Sequence, residues 1–142
     1  MSAVLEAKDE IRELMATYAM AMDACRFGDV GACFAPDAEW ITNYGAARGP
    51  GEIAKFIGGI VPVKGEGPQR KHYITNIIIR VDGDTASAVS DYLIIRESEN
   101  GLIPVMGGTY KDRLRKTEAG WRFSRKELVH DIKGDMALKN RR

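Results

Sequence analysis

Two histidines stand in the chain, His72 and His130. Imidazole is the side chain whose ordinary pKa suits proton removal near neutral pH. His72 sits at the entrance of a strongly apolar run, Arg70-Lys71-His72-Tyr73-Ile74-Thr75-Asn76-Ile77-Ile78-Ile79. Strand alternation would put His72, Ile74, Asn76 and Ile78 on one face, and Tyr73, Thr75, Ile77 and Ile79 on the other. Both sets are largely apolar, so the strand is expected to be buried on both sides. A histidine in that setting needs a partner for its ring N–H. A carboxylate accepting Nδ1–H would fix the tautomer, free Nε2 as a base and stabilise the imidazolium that forms.

The candidate carboxylate is Asp23, in Tyr18-Ala19-Met20-Ala21-Met22-Asp23. On an ideal helical wheel it falls about 120° from the centre of the apolar stripe. That flank position also fits a solvated residue near a helix end. Tyr18 falls within the stripe, as a core aromatic with a bonded hydroxyl or as a donor to a developing oxyanion. His130 ends the run Glu127-Leu128-Val129-His130-Asp131. Alternation groups it with Leu128 and Lys126 unless a bulge breaks the parity. Taken singly, each of these residues has an ordinary structural explanation.

The elements that must position them are legible. Ile11, Leu14, Met15, Tyr18, Met22 and Cys25 recur at steps of three and four, one face of an amphipathic helix. A short second helix is expected over Val30 to Phe34, stopped by Pro36. Glu39–Tyr44 reads as a first strand, Gly45 as a turn and Ala46–Arg48 as a short return strand. Gly49-Pro50-Gly51 then opens a helix over Glu52–Ile57. Asp82-Gly83-Asp84, Asn100-Gly101 and Glu118-Ala119-Gly120 separate four β-rich runs: Arg70–Val81, Thr85–Glu97, Leu102–Arg115 and Trp121–Asp131. Helices grouped first and strands grouped last predict an α+β fold, with helices covering one face of a curved, mostly antiparallel sheet. The space between them is either filled by side chains or left as a pocket.

Length and composition bound the rest. The 142 residues are one domain's worth, with a core over about 7–131 and a tail over 132–142. A net charge of +1 gives no case for nucleic acid. The basic end, Lys139-Asn140-Arg141-Arg142, reads as a solvated terminus. Cys25 and Cys33 lack a nearby third ligand and read as small buried hydrophobes in helical segments, in a reducing compartment. Neither they nor two separated histidines make a histidine-rich metal site, although a mixed carboxylate site stays open; no metal and no cofactor are expected. Gly49-Pro50-Gly51-Glu52-Ile53-Ala54 fits G-x-G-x-x-A, but no buried parallel strand precedes it and Pro50 lacks the amide that would cradle phosphate. No signal peptide or membrane span is visible, and a cytoplasmic location is expected.

The combination of Tyr18 with Asp23, then Ala35-Pro36-Asp37-Ala38-Glu39-Trp40, then His72-Tyr73-Ile74-Thr75-Asn76, then Gly120-Trp121-Arg122-Phe123-Ser124, resembles the nuclear transport factor 2-like superfamily. Within it the chain is similar to the SnoaL-like group that holds scytalone dehydratase, hexachlorocyclohexane dehydrochlorinase and the bile-acid dehydratase. The resemblance runs from about Ala7 to Asp131. It implies a cystatin-like α+β barrel: a cone of curved sheet closed by N-terminal helices, with an Asp23–His72 dyad inside. Tyr18 matches a tyrosine of the bile-acid enzyme. His130 and Lys126 fall at or near last-strand arginines of the relatives, a departure that bears on substrate contacts. Scytalone dehydratase's second histidine has its nearest counterpart at Asp91-Tyr92, so that enzyme's specificity does not carry over.

The expected function is a cofactor-independent lyase, a dehydratase acting on a hydroxylated cyclic or polycyclic small molecule. His72, Asp23 and Tyr18 are the catalytic candidates. His130, Lys126, Trp40, Tyr44, Tyr92 and Asn76 are the expected substrate contacts, with His130 able to protonate a departing hydroxide. A ketosteroid-type isomerase or polyketide cyclase is the alternative, as is a non-catalytic ligand-binding or assembly domain. A cone filled by Trp40, Tyr44, Tyr92 and Met106 would favour the last. By analogy the chain forms a homo-oligomer through its sheet, a trimer in preference to a dimer.

Overall fold

The computed structural model describes residues 2–139. Helix α1 covers Ala3–Asp23, α2 covers Phe27–Gly31 and α3 covers Pro50–Ile60. The strands are β1 (Phe34–Thr42), β2 (Gly45–Arg48), β3 (Arg70–Asp82), β4 (Thr85–Ser98), β5 (Gly101–Thr117) and β6 (Gly120–Lys133). They form one sheet in the order β2-β1-β6-β5-β4-β3. Every pairing is antiparallel except β1 with β6. This is the expected mixed, mostly antiparallel α+β fold. The sheet does not close: β2 and β3 remain its edges.

Helix α1 lies across the sheet because its stripe is apolar. Ile11, Met15 and Tyr18 are almost completely buried, each contributing about 1.5–3 kcal/mol by removal from water. The stripe ends earlier than its periodicity predicts. The Arg26 amide bonds the Ala21 carbonyl and the Cys25 amide bonds Met22, with Cys25 left-handed at φ 57°. This paired bonding stops the helix at Asp23. Cys25 therefore lies beyond α1, and Cys33 beyond α2, rather than inside helices. Cys33 is buried, and burial pushes its thiol up to about 11, in keeping with a small inert hydrophobe.

Three other expectations need correcting. The second helix sits three residues earlier than predicted, and Pro36 lies inside β1 rather than ending a helix. The β1–β6 register shifts between Phe34 and Glu39, an irregularity where a missing amide is tolerated. Strand β3 is not buried on both faces. It is an edge strand, with Tyr73 and Ile78 exposed. Its alternation also breaks: the β3–β4 register shifts between Thr75 and Ile78, and Asn76 is left-handed at φ 51°. Beyond this bulge Ile77 and Ile79 turn inward, while Asn76 and Ile78 turn out.

The chain after β6 is tied down. Arg70 Nη1 donates to the Met136 carbonyl at 2.8 Å. Arg96 Nε donates to Asp135 O at 2.8 Å. The Lys139 amide reaches Ile60 O at 2.8 Å, and its ammonium pairs with Glu66 at 2.7 Å. Residues 134–139 thus form a strap across the open end of the sheet, with Met136 and Leu138 packed on the core. The rest of the basic end, residues 140–142, lies outside the described region.

Candidate active site

Asp23 is the last residue of α1, and the helix end brings it to the free edge of β3. Its carboxylate accepts from the His72 amide at 3.0 and 3.1 Å. The same carboxylate lies 2.6 Å from His72 Nδ1. Both side chains are largely shielded, His72 at 7% and Asp23 at 15% exposure. A carboxylate at a helix C-terminus is disfavoured by the dipole. Here bonds to an otherwise unpaired edge amide and to the imidazole offset that cost. The bond assigns the hydrogen to Nδ1 and leaves Nε2 as the lone-pair nitrogen. Among the described residues Nε2 has no hydrogen-bond partner.

His72 faces a cavity of about 50 Å³ between the sheet, α1, α3 and the strap. Tyr18, Trp40, Tyr44, Tyr92 and His130 also line it. Tyr18 is fully buried. Its hydroxyl oxygen accepts from Trp40 Nε1 at 3.1 Å, so the phenolic hydrogen stays available. Burial pushes this phenol far up, against the lowering effect of the Trp40 bond; it remains a protonated donor. Tyr92 spends its hydrogen on the Val129 carbonyl at 3.2 Å and stacks on Tyr110 with centroids 4.1 Å apart. That stack requires Gly108, where an added Cβ would collide with the Tyr92 ring and the Val129 carbonyl.

His130 packs on Tyr44 with ring centroids 5.0 Å apart. Its Nε2 lies 3.4 Å from Thr42 Oγ1, and that hydroxyl donates to Asn43 Oδ1 at 3.2 Å. Thr42 therefore accepts from Nε2–H, and Nδ1 is left as a buried lone pair without a partner. Burial pushes the His130 pKa down, Lys133 adds to this, and Asp131 opposes it. His130 is held neutral, which weakens its expected role as an acid toward departing hydroxide.

Two expected substrate contacts do not reach the cavity. Asn76 sits on the exposed face, donating to Asp91 Oδ2 at 2.7 Å, because the bulge reverses its side. Lys126 does point inward with Leu128 and His130, but it is sealed off. It is fully buried, with Nζ 3.1 Å from both Asp112 carboxylate oxygens. The rings of Tyr18, Tyr110 and Phe123 surround it at 3.8–4.5 Å. Asp112 and Arg70 escaped sequence reasoning. Asp112 pairs with Lys126 directly across β5 and β6, a cross-strand match invisible without the register. Arg70 shares the His72 face of β3 two residues earlier, and that spacing was the available signal.

Among the described residues no group of three or more His, Cys, Asp or Glu side chains is placed to hold a metal ion. No helix of the described residues is long and apolar enough to cross a membrane.

Comparison with known proteins agrees with this architecture. An uncharacterized protein of Mycobacterium tuberculosis, Rv2910c, is 33% identical over 131 residues, covering 89% of this chain and 88% of that one. An NTF2-like protein with a cystatin-like fold from Novosphingobium aromaticivorans is 26% identical, with a TM-score of 0.80 over 94% of this chain and 87% of that one. A structure from the same organism, provisionally named a scytalone dehydratase, superposes with a TM-score of 0.76 at 24% identity, covering 92% and 88%. At that identity the likeness concerns fold alone. The model of the SnoaL-like domain matches residues 3–127, and with nearly the whole helix-and-sheet framework inside that match, the chain belongs to the SnoaL-like family of nuclear transport factor 2-like proteins.

Proposed function

We propose that the chain is a cofactor-independent lyase, a dehydratase of a hydroxylated cyclic small molecule, with Asp23 and His72 as its acid–base pair. The observation that carries this is the 2.6 Å contact between Asp23 and His72 Nδ1 at the wall of a cavity. His72 Nε2 removes a proton from the carbon next to a carbonyl. Asp23 stabilises the imidazolium, and Tyr18 donates to the oxygen on which charge develops. The carbon–oxygen bond then breaks, and the departing hydroxyl takes the proton from the imidazolium and leaves as water. Returning the proton to a different carbon instead would make the same site an isomerase. General-base action of this kind is worth about 10²–10⁴ in rate.

A non-catalytic reading has its own support. Asp23 also bonds the His72 amide, so the pair has a structural use, and 50 Å³ is small beside the roughly 300–1,000 Å³ of ligand pockets. Under the catalytic reading a cyclic substrate needs the Met136 and Leu138 side chains to withdraw. The exposed Tyr73, Ile78, Val89 and Leu93 on β3 and β4 support a homo-oligomer through the sheet in either case.

The test uses a panel of cyclic β-hydroxy ketones, following loss of water and migration of deuterium. His72→Ala and Asp23→Asn are each expected to lower turnover by orders of magnitude, with circular dichroism unchanged. Near-normal turnover in both variants would remove the dyad from the mechanism.

A further inference from the structure

Arg70 is 6% exposed and lines the same cavity as His72. Arginine is effectively always charged. Buried cations are ordinarily paired with a carboxylate. Among the described residues none lies within ion-pairing distance of Arg70. Its Nη1 holds the Met136 carbonyl at 2.8 Å and its Nη2 reaches the Pro68 carbonyl at a long 3.4 Å. Its Nε is buried with no acceptor. Burial pushes its pKa down and the neighbouring cation Arg96 adds to this, while Cys25, Asp23 and Tyr44 oppose it from beyond hydrogen-bonding distance. The guanidinium is thus desolvated, under-bonded and beside the base.

We propose that Arg70 is the receptor for a carboxylate on the ligand, and that the cavity therefore selects an organic acid. A carboxylate brings two oxygens to a fork of N–H donors, the geometry that guanidinium groups match. It would satisfy Nε and displace the long Nη2 contact to the Pro68 carbonyl. Arg70 and His72 project from one face of β3, two residues apart, a spacing of about 6.5–7 Å along a strand. An acid anchored at Arg70 would place atoms one or two bonds beyond its carboxylate near Nε2. The proposal deepens the reading of His72 as a base, and it makes Arg70 a specificity-determining residue rather than a catalytic one.

Benzoate and benzamide test this, because they share size and ring and differ in charge. Both are titrated into the full chain and followed by ¹H–¹⁵N NMR shifts of residues lining the cavity. Benzoate is expected to bind at least about tenfold tighter, and Arg70→Met to weaken benzoate by about tenfold to a hundredfold while leaving benzamide unchanged. Arg70→Lys, which keeps the charge without the fork, is expected to fall between, and it serves if the methionine variant does not fold. His72→Ala is expected to retain the preference for benzoate, so loss of the catalytic reading and loss of this one are separable. Equal binding of the two ligands, binding of neither, or full benzoate affinity after loss of Arg70 would overturn the assignment.

Discussion

Replacing Lys126 by methionine tests the foundation on which Tyr18 stands. Lys126 is fully buried, and its only counter-charge within ion-pairing distance among the described residues is Asp112, at 3.1 Å. Burial pushes the Asp112 carboxyl up and the Lys126 ammonium down, and each partner opposes the other's shift. Removing the ammonium alone leaves a buried carboxylate with no counter-charge within ion-pairing distance among the described residues. Breaking one side of such a pair costs about 3–5 kcal/mol, a large part of the roughly 5–15 kcal/mol that holds a domain folded. For a chain of this size that is a fall in melting temperature of roughly 10–20 °C. The cost should shrink as pH falls toward 4–5. A carboxyl whose folded pKa is raised is stabilising below its unfolded value and loses that contribution as pH rises through the folded one. Replacing both partners, Lys126→Met with Asp112→Leu, should recover most of the loss, to within about 2 kcal/mol of the parent. Urea unfolding of the parent, the Lys126→Met variant and the double variant at pH 7 and pH 4.5 measures all of this. A single variant within 1 kcal/mol of the parent, or a double variant no better than the single, would refute the assignment of an uncompensated buried charge.

Two further outcomes follow from the site. The His130 pKa is held down by burial, so its contribution to stability is complete above the ordinary histidine value of about 6.5 and is lost as pH falls through the folded pKa. Between pH 7.5 and pH 5 the parent should therefore lose more urea resistance than His130→Gln; an equal or smaller loss would mean that the ring accepts its charge readily. Ending the chain at Lys133 removes Met136 and Leu138 from the cavity lining. It should speed association of an uncharged fluorescent apolar probe such as N-phenyl-1-naphthylamine at least several-fold while the sheet survives by circular dichroism. Unchanged association would mean that the strap does not limit entry.

The long strands were readable because their turns are chemically distinct. Gly83, Gly101 and Gly120 all adopt positive φ, and each closes a two-residue connection between strands whose ends agree with the sequence within one or two residues. The Asp23–His72 pair was not readable from periodicity. The residues are 49 apart in sequence, the wheel left Asp23 on a flank, and only the packing angle of α1 against the edge of β3 brings them together. Family resemblance supplied what spacing could not. Asn76 was misplaced because alternation assumes an unbroken pleat. An asparagine amid Ile and Thr was the available hint, since asparagine tolerates left-handed backbone better than its neighbours do. Lys126 kept its inward parity, yet a cross-strand carboxylate and three rings decided its role. Those are contacts between strands, and local sequence carries no trace of them.

Asp23 does two jobs with one carboxylate: it holds an imidazole ring and it blocks an edge amide of the sheet at His72. A descendant that abandoned chemistry and replaced His72 would still need something to occupy that amide, and the aspartate would remain under selection for folding alone. A carboxylate at this helix end is therefore a poor marker of catalysis across relatives; under the proposed dyad it is the histidine, free of that second duty, that would record whether the reaction has been kept.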